Sequence, residues 1–269
     1  MKVDKAIKAT FNTNLIILNG FLVALLVGTI LLMLPVSSAS GNGTDFITAL
    51  FTATTSLCVT GLVVVPTYAY WSIFGKVIIL ILIQLGGLGI ISFTIGFLII
   101  IGKKISLKER KMIQESYNLD SAQGVLKILR KIFGITVKIE GIGAILYSIQ
   151  FIPEYGIVKG ICYSVFHSVS AFCNAGIDII GNDSFVKYHG NVLVNFTTVM
   201  LIICGGIGFI VWLDIGGIIS EIRNKKLSPN KFIERMKLHT KLVLITTAIL
   251  VGGGFLFILL FEYNNPDTL

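Results

Sequence analysis

The sequence predicts an all-α integral membrane protein, built from two helix, re-entrant loop, helix repeats followed by the first helix of a third. Three observations carry this reading. The 269 residues are 54% hydrophobic and 13% charged, about half the charged share of a soluble domain, so polar side chains are too few to cover a water-facing surface. Four stretches, 15–36, 77–101, 190–213 and 242–261, contain no Asp, Glu, Lys or Arg, and each reaches the roughly 20 residues that a helix needs to cross a bilayer. Finally, one unit of sequence recurs at an almost constant spacing.

Charge placement supplies a fifth span and an orientation. The segments 102–131 and 221–241 are both rich in Lys and Arg, so both belong on the cytoplasmic side. A single crossing between them would separate them, which requires a further crossing at about 132–152 despite Lys138 and Glu140. Lys2, Lys5 and Lys8 precede the first span, and with them 18 of the 22 basic residues fall inside. The N-terminus is therefore expected in the cytoplasm and residues 262–269 outside. The net charge of +8 is accounted for by these loops, so nucleic acid is not an expected partner and the lipid bilayer is. Cys58, Cys162, Cys173 and Cys204 form no C-x-x-C pair, which argues against a zinc site or a disulfide framework.

Between Pro35 and Trp71 the apolar centre, 46–51, is too short to cross the bilayer and return, and reads as a re-entrant helix. Irregular backbone at membrane depth survives only where protein or water solvates it, which makes this loop a functional candidate. It also recurs. Laying ALFTATTSLCVTGL (49–62) over SVFHSVSAFCNAGI (164–177) pairs Phe51 with Phe166, Cys58 with Cys173 and Gly61 with Gly176, all 115 positions apart. QLGGLGII (84–91) over ICGGIGFI (203–210) pairs Gly86, Gly87 and Gly89 with Gly205, Gly206 and Gly208 at a spacing of 119. The units are thus 1–104, 105–222 and an incomplete third at 223–269.

A short helix followed by CVTG or CNAG suits a cation that is losing its water. Backbone carbonyls can replace that water if the chain is extended rather than helical, and glycine permits the required angles. The helix adds the negative end of its dipole. The expected ligands are the carbonyls of Cys58, Val59, Thr60 and Gly61, and of Cys173, Asn174, Ala175 and Gly176. No catalytic residue, no metal site beyond the transported ion and no cofactor are expected in the chain.

At TTSLCVTGLVVV (54–65), SAFCNAGID (170–178) and QLGGLGI (84–90) the sequence resembles the Trk/Ktr potassium-uptake family, most closely its Ktr-type membrane subunit. The resemblance covers nearly the whole chain. It implies four helix, pore-loop, helix repeats around one potassium pathway in a bacterial plasma membrane, one filter glycine per repeat, and a separate cytosolic nucleotide-binding subunit as regulator. Gly61 and Gly176 match the first two filter glycines. The third and fourth loops, the family's gate loop and its basic barrier residue are expected beyond Leu269, so the chain reads as truncated after the start of the third repeat. A homodimer supplying four loops is a second arrangement, and a non-conducting assembly fragment is the alternative function.

Plainer readings compete at several residues. The glycines Gly86, Gly87, Gly89, Gly205, Gly206 and Gly208 resemble a dinucleotide fingerprint, but inside apolar helices they read as helix-packing sites. On that reading a substitution at Gly87 disturbs folding and spares selectivity. His167, Cys173 and Asp178 could form a catalytic set, yet Thr52 stands in place of His167 in the first copy, so no enzyme is expected. Glu140 is assigned to a partner helix or an aqueous vestibule, and Asp214 to the lipid interface.

Overall fold

The computed structural model describes residues 2–89, 125–181, 183–225, 227–263 and 265. All regular structure among them is helical, apart from one antiparallel bridge between Ser38 and Trp71. The chain forms two compact units, Met1–Gly206 and Ile207–Leu269.

In the first unit α1 (Lys2–Met33) runs 32 residues and stops where Pro35 opens a short 3-10 turn, Pro35–Ser37. Asp45 then caps α2 (Phe46–Leu57), its carboxylate accepting the Thr48 N–H at 2.9 Å; this satisfies one of the free donors at a helix start. A single turn, α3 (Thr67–Tyr70), leads to α4 (Ile73–Leu88), capped by Ser72 and ending at Gly89, whose φ is 79°. The remainder of the expected span to residue 101, the basic cluster from Lys103 to Lys111 and the first unit boundary at 104 lie outside the described residues.

The charged fifth span is α5 (Val125–Tyr155), 31 residues long. Gly156 at φ 81° turns the chain directly into α6 (Ile157–Phe172). After a 3-10 turn at Val186–Tyr188, Asn191 accepts the Val194 N–H at 3.0 Å and begins α7 (Val192–Gly206). Each short helix packs against its own two neighbours, α2 against α1 and α4, α6 against α5 and α7, and α4 touches α6.

This interior is lined with hydroxyls. Thr52, Thr55, Ser56, Ser164, Ser168 and Ser170 are buried, while Val23, Ile30, Ile145, Ile149 and Phe196 are exposed. A hydroxyl can face inward because the helix satisfies it: Thr52 donates to Thr48 O at 2.8 Å, Ser56 to Thr52 O at 2.7 Å and Ser164 to Gly160 O at 2.7 Å. Small polar residues also allow close helix approach in a membrane, where apolar surface can face lipid without penalty.

The second unit holds α8 (Phe209–Arg223), a 3-10 turn at Pro229–Lys231, a single turn α9 (Phe232–Arg235) and α10 (Leu238–Glu262). The expected span 190–213 is therefore not one helix. It stops at Gly206, and Gly208 at φ 83° precedes the next start. Asp214 has a structural role: its Oδ2 accepts the Lys237 N–H at 3.0 Å and the Thr240 hydroxyl at 2.7 Å, so a side chain of α8 caps the start of α10. Among the described residues α5 and α10 are each long and apolar enough to cross a bilayer.

Candidate functional site

The helices α2 and α6 terminate alike. Their last residues, Leu57 and Phe172, are separated by the spacing at which the motifs repeat. Cys58 and Cys173 keep right-handed angles, φ −86° and −73°, and Val59 and Asn174 turn left-handed at φ 50° and 59°. The Thr60 N–H then reaches back to Thr55 O at 3.0 Å, and the Ala175 N–H to Ser170 O at 2.8 Å. A bond from a sixth residue to a first around a left-handed one is the Schellman termination, which favours glycine. Asn adopts it readily, whereas the β-branched Val59 is an outlier there. Gly61 and Gly176 follow at φ 76° and 68°.

This corrects the extended strand expected from Cys58 and Cys173 onward, because the first two residues of each quartet close the helix. Carbonyl direction comes from the cap instead. In a trans peptide the C=O points opposite its N–H, and no peptide bond among the described residues is cis. The N–H groups of Thr60, Asn174 and Ala175 bond to carbonyls of the helix end, so the carbonyls of Val59, Cys173 and Asn174 point away from it. The Ile177 N–H bonds to Ser170 Oγ at 3.1 Å, which sends the Gly176 carbonyl away from α6 as well.

The two loops meet at their glycines. A Cβ on Gly61 would stand 2.7 Å from Ala175 O, and one on Gly176 would stand 3.6 Å from the Gly61 Cα. A side chain at Gly61 would therefore push the loops apart. Both helices end with their C-termini a few residues before this meeting point, and Asp178 lies two residues beyond Gly176. A cavity of about 210 Å³ borders Asn174, Gly176 and Asp178.

The paired glycines of α4 and α7 divide into three kinds. Gly86 and Gly205 are contact points: a Cβ on Gly86 would collide with Leu57 O, and one on Gly205 with Phe172 O. Gly87 faces Cys173, whose Sγ and Cβ occupy the space of any side chain there, so this glycine packs against the first residue of the second quartet rather than only against a helix. Gly206 has more room: a Cβ there would stand 4.0 Å from the side-chain amide nitrogen of Asn174. Gly89 and Gly208 are not packing sites within a continuous helix. They stand at helix ends with left-handed φ, and nothing lies within 4 Å of where their side chains would be.

Residues outside the predicted set brace the loops. Ser170 Oγ donates to Ile177 O at 2.6 Å while accepting the Ile177 N–H. Thr55, its counterpart in the first copy, pairs its hydroxyl with that of Thr60 at 2.6 Å. Both positions carry a hydroxyl in the aligned repeats, a signal the sequence offered. His167 is a structural residue: Nε2 accepts the Ile179 N–H at 3.2 Å, so Nδ1 carries the proton and donates to Tyr163 O at 2.6 Å. No catalytic arrangement with Cys173 results. Lys187 bonds Glu154 at 2.6 Å and the Tyr155 hydroxyl, tying the segment after the second loop to the end of α5.

Paired short helices that end at a glycine contact, within an apolar helical frame, define an all-α membrane protein. Comparison with known proteins specifies it further. Residues 2–265 match the TrkH family, described as cation transport protein, and the chain belongs to that family. It is 43% identical over 263 residues to the potassium/sodium uptake protein NtpJ of Enterococcus hirae, covering 98% of this chain and 55% of that protein. It is 38% identical over 270 residues to the Ktr system potassium uptake protein B of Bacillus subtilis, covering 100% of this chain and 57% of that one. The protein of that name in Vibrio alginolyticus is 36% identical over 255 residues. The chain spans about 55% of the length of these curated relatives.

Proposed function

We propose that the chain forms part of the pathway of a potassium-translocating protein in a bacterial plasma membrane. Its selectivity filter would be the carbonyls of Cys58, Val59, Thr60 and Gly61 and of Cys173, Asn174, Ala175 and Gly176. The observation that carries this reading is the common backbone path of the two loops, left-handed at Val59 and Asn174 and again at Gly61 and Gly176. Relatives named as potassium or potassium/sodium uptake proteins point to the same ion. Units at 1–104, 105–222 and 223–269, with a cytoplasmic N-terminus, complete the arrangement. The basic cytoplasmic loops would receive a separate cytosolic subunit that binds the regulatory nucleotide; relatives named as members of a Ktr system favour this partner.

Two loops ligate a cation from one side only, and hydration lost on the other side is not replaced. A second reading follows: the 269 residues conduct only with further loops, supplied by a longer chain or by a second copy, and alone serve assembly. Cells lacking potassium uptake, carrying the complete gene product with Gly61→Ser or Gly176→Ser, test the filter; the expected result is a reduced preference for potassium over sodium. Unchanged preference in both variants overturns it. Reconstitution of the 269 residues at defined stoichiometry tests the second reading, with flux from monomers as the refuting result.

A further inference from the structure

Glu140 is an acid in the middle of α5, and a carboxylate inside a membrane span is retained only with compensating partners. Its partner comes from the other half of the unit. Glu140 Oε1 accepts from Gln84 Nε2, on α4, at 2.9 Å. Gln84 Oε1 in turn faces the Cys173 thiol, Sγ to oxygen 3.6 Å. Ser168 on α6 donates to the backbone carbonyl of Glu140 at 2.6 Å. Three helices thus converge behind the residue at which the second loop leaves its helix.

The direction of the chain of bonds is determined by chemistry. Gln84 presents its NH₂ to Glu140 and its oxygen to the Cys173 thiol, and with Glu140 as the carboxylate, which only accepts, no other orientation satisfies both partners. Cys173 has no room to move the other way, since its sulfur already fills the space beside Gly87. Among the described residues the first loop shows no equivalent. Its Cys58 is exposed, and Ile203, which aligns with Gln84, cannot hydrogen-bond through its side chain.

We propose that Glu140 and Gln84 are positioning residues for the second filter loop. The carboxylate orients the amide, the amide holds the Cys173 thiol, and the carbonyl that Cys173 directs away from α6 takes its place from that hold. This rests on the filter reading above. Discrimination between potassium and sodium then depends on two residues that touch no ion.

The test measures the potassium-to-sodium preference of uptake in transport-deficient cells carrying the complete gene product, normalised to surface expression. Glu140→Gln keeps the shape but lets either amide face either way, and should lower the preference about fivefold, the size of losing one buried hydrogen bond. Gln84→Leu should do the same by releasing Cys173. The exchange Glu140→Gln with Gln84→Glu restores a one-way chain, because the carboxylate then carried by α4 accepts from both the amide carried by α5 and the thiol, and should recover the native preference. A strut that merely joins helices would lose expression and keep its preference. Native preference in both Glu140→Gln and Gln84→Leu, while Gly176→Ser shifts it, overturns the positioning role and leaves the filter standing. Native preference in Gly176→Ser overturns this inference, and native preference in Gly61→Ser as well overturns the filter with it. Should either single variant fail to reach the surface, the exchanged pair decides, since failure to recover native preference there also refutes the relay.

Discussion

The carbonyl oxygen of Phe172 occupies the space that any side chain on Gly205 would need. Leu57 and Gly86 stand in the same relation, so α2 ends against the backbone of α4 and α6 against that of α7. Alanine at Gly86 or Gly205 should force that end aside, at a cost of about 1–3 kcal/mol for overpacking. Alanine at Gly134, where nothing lies within 4 Å, should not. Thermal unfolding in detergent checks this, and equal melting temperatures for all three variants would refute the contact.

Gly87→Ala should act differently from Gly86→Ala. Its methyl group would press on Cys173 rather than on a helix end, so ion preference should fall even in molecules that fold. Cation competition measured on surface-expressed protein distinguishes the two; native preference in Gly87→Ala would show that Cys173 yields without consequence.

Ser170→Ala removes both bonds that fix Ile177 and strands a buried N–H and carbonyl, worth about 1–3 kcal/mol. Destabilisation should come with weakened selectivity, since Ile177 follows Gly176 directly. Ser170→Thr keeps the hydroxyl and should retain more of both. The order of melting temperatures, serine above threonine above alanine, is the expected result.

Acid should loosen the start of α2. The Thr48 N–H holds the Asp45 carboxyl below its ordinary value, so the capping contribution is fully present above the unfolded value of about 3.9 and is lost as pH falls through the lower folded value. Hydrogen exchange at the amides of Ile47 and Thr48 should show protection at pH 5 that declines below about pH 3.9. Asn accepts the same bond without titrating, so Asp45→Asn should keep protection across that range. A decline in Asp45→Asn equal to that of the native chain would assign the acid effect elsewhere.

Orientation can be read with thiols. In a chain whose own four cysteines are replaced by alanine, cysteine at 109 or 228 should resist an impermeant reagent in intact cells, and cysteine at 42 or 184 should react. Labelling at 109 from outside would remove the proposed arrangement.

The sequence revealed most where a pattern repeats. The two short helices and their glycines stand out because fixed spacing survives even when side chains differ, as at Thr60 and Ala175. Helix ends at Gly89 and Gly208 escaped notice because apolar sequence continues across them, and hydropathy carries no information about φ. The extended strand expected at Cys58 and Cys173 failed for a related reason: valine argues against a left-handed cap, and only the bond from Thr60 to Thr55 exposes it. Gln84 and Glu140 were visible as residues but not as a pair, being 56 positions apart on different helices, α4 and α5. Asp214 ends an apolar run in the sequence, and its capping of α10 through Lys237 and Thr240 was not legible there because the partners lie 23 and 26 positions away.

Val59 stays left-handed where glycine would do so freely. Holding a β-branched residue there costs roughly 1–2 kcal/mol, and glycine at the same point would make the helix end easier to form and the loop freer to wander. The chain therefore gives up some ease of folding for stiffness at this point, which on the proposed filter reading is where small displacements would separate one alkali ion from another. Variants that accumulate stabilising changes elsewhere should tolerate this position well, and a Val59→Gly variant should be the sturdier protein and the less discerning one.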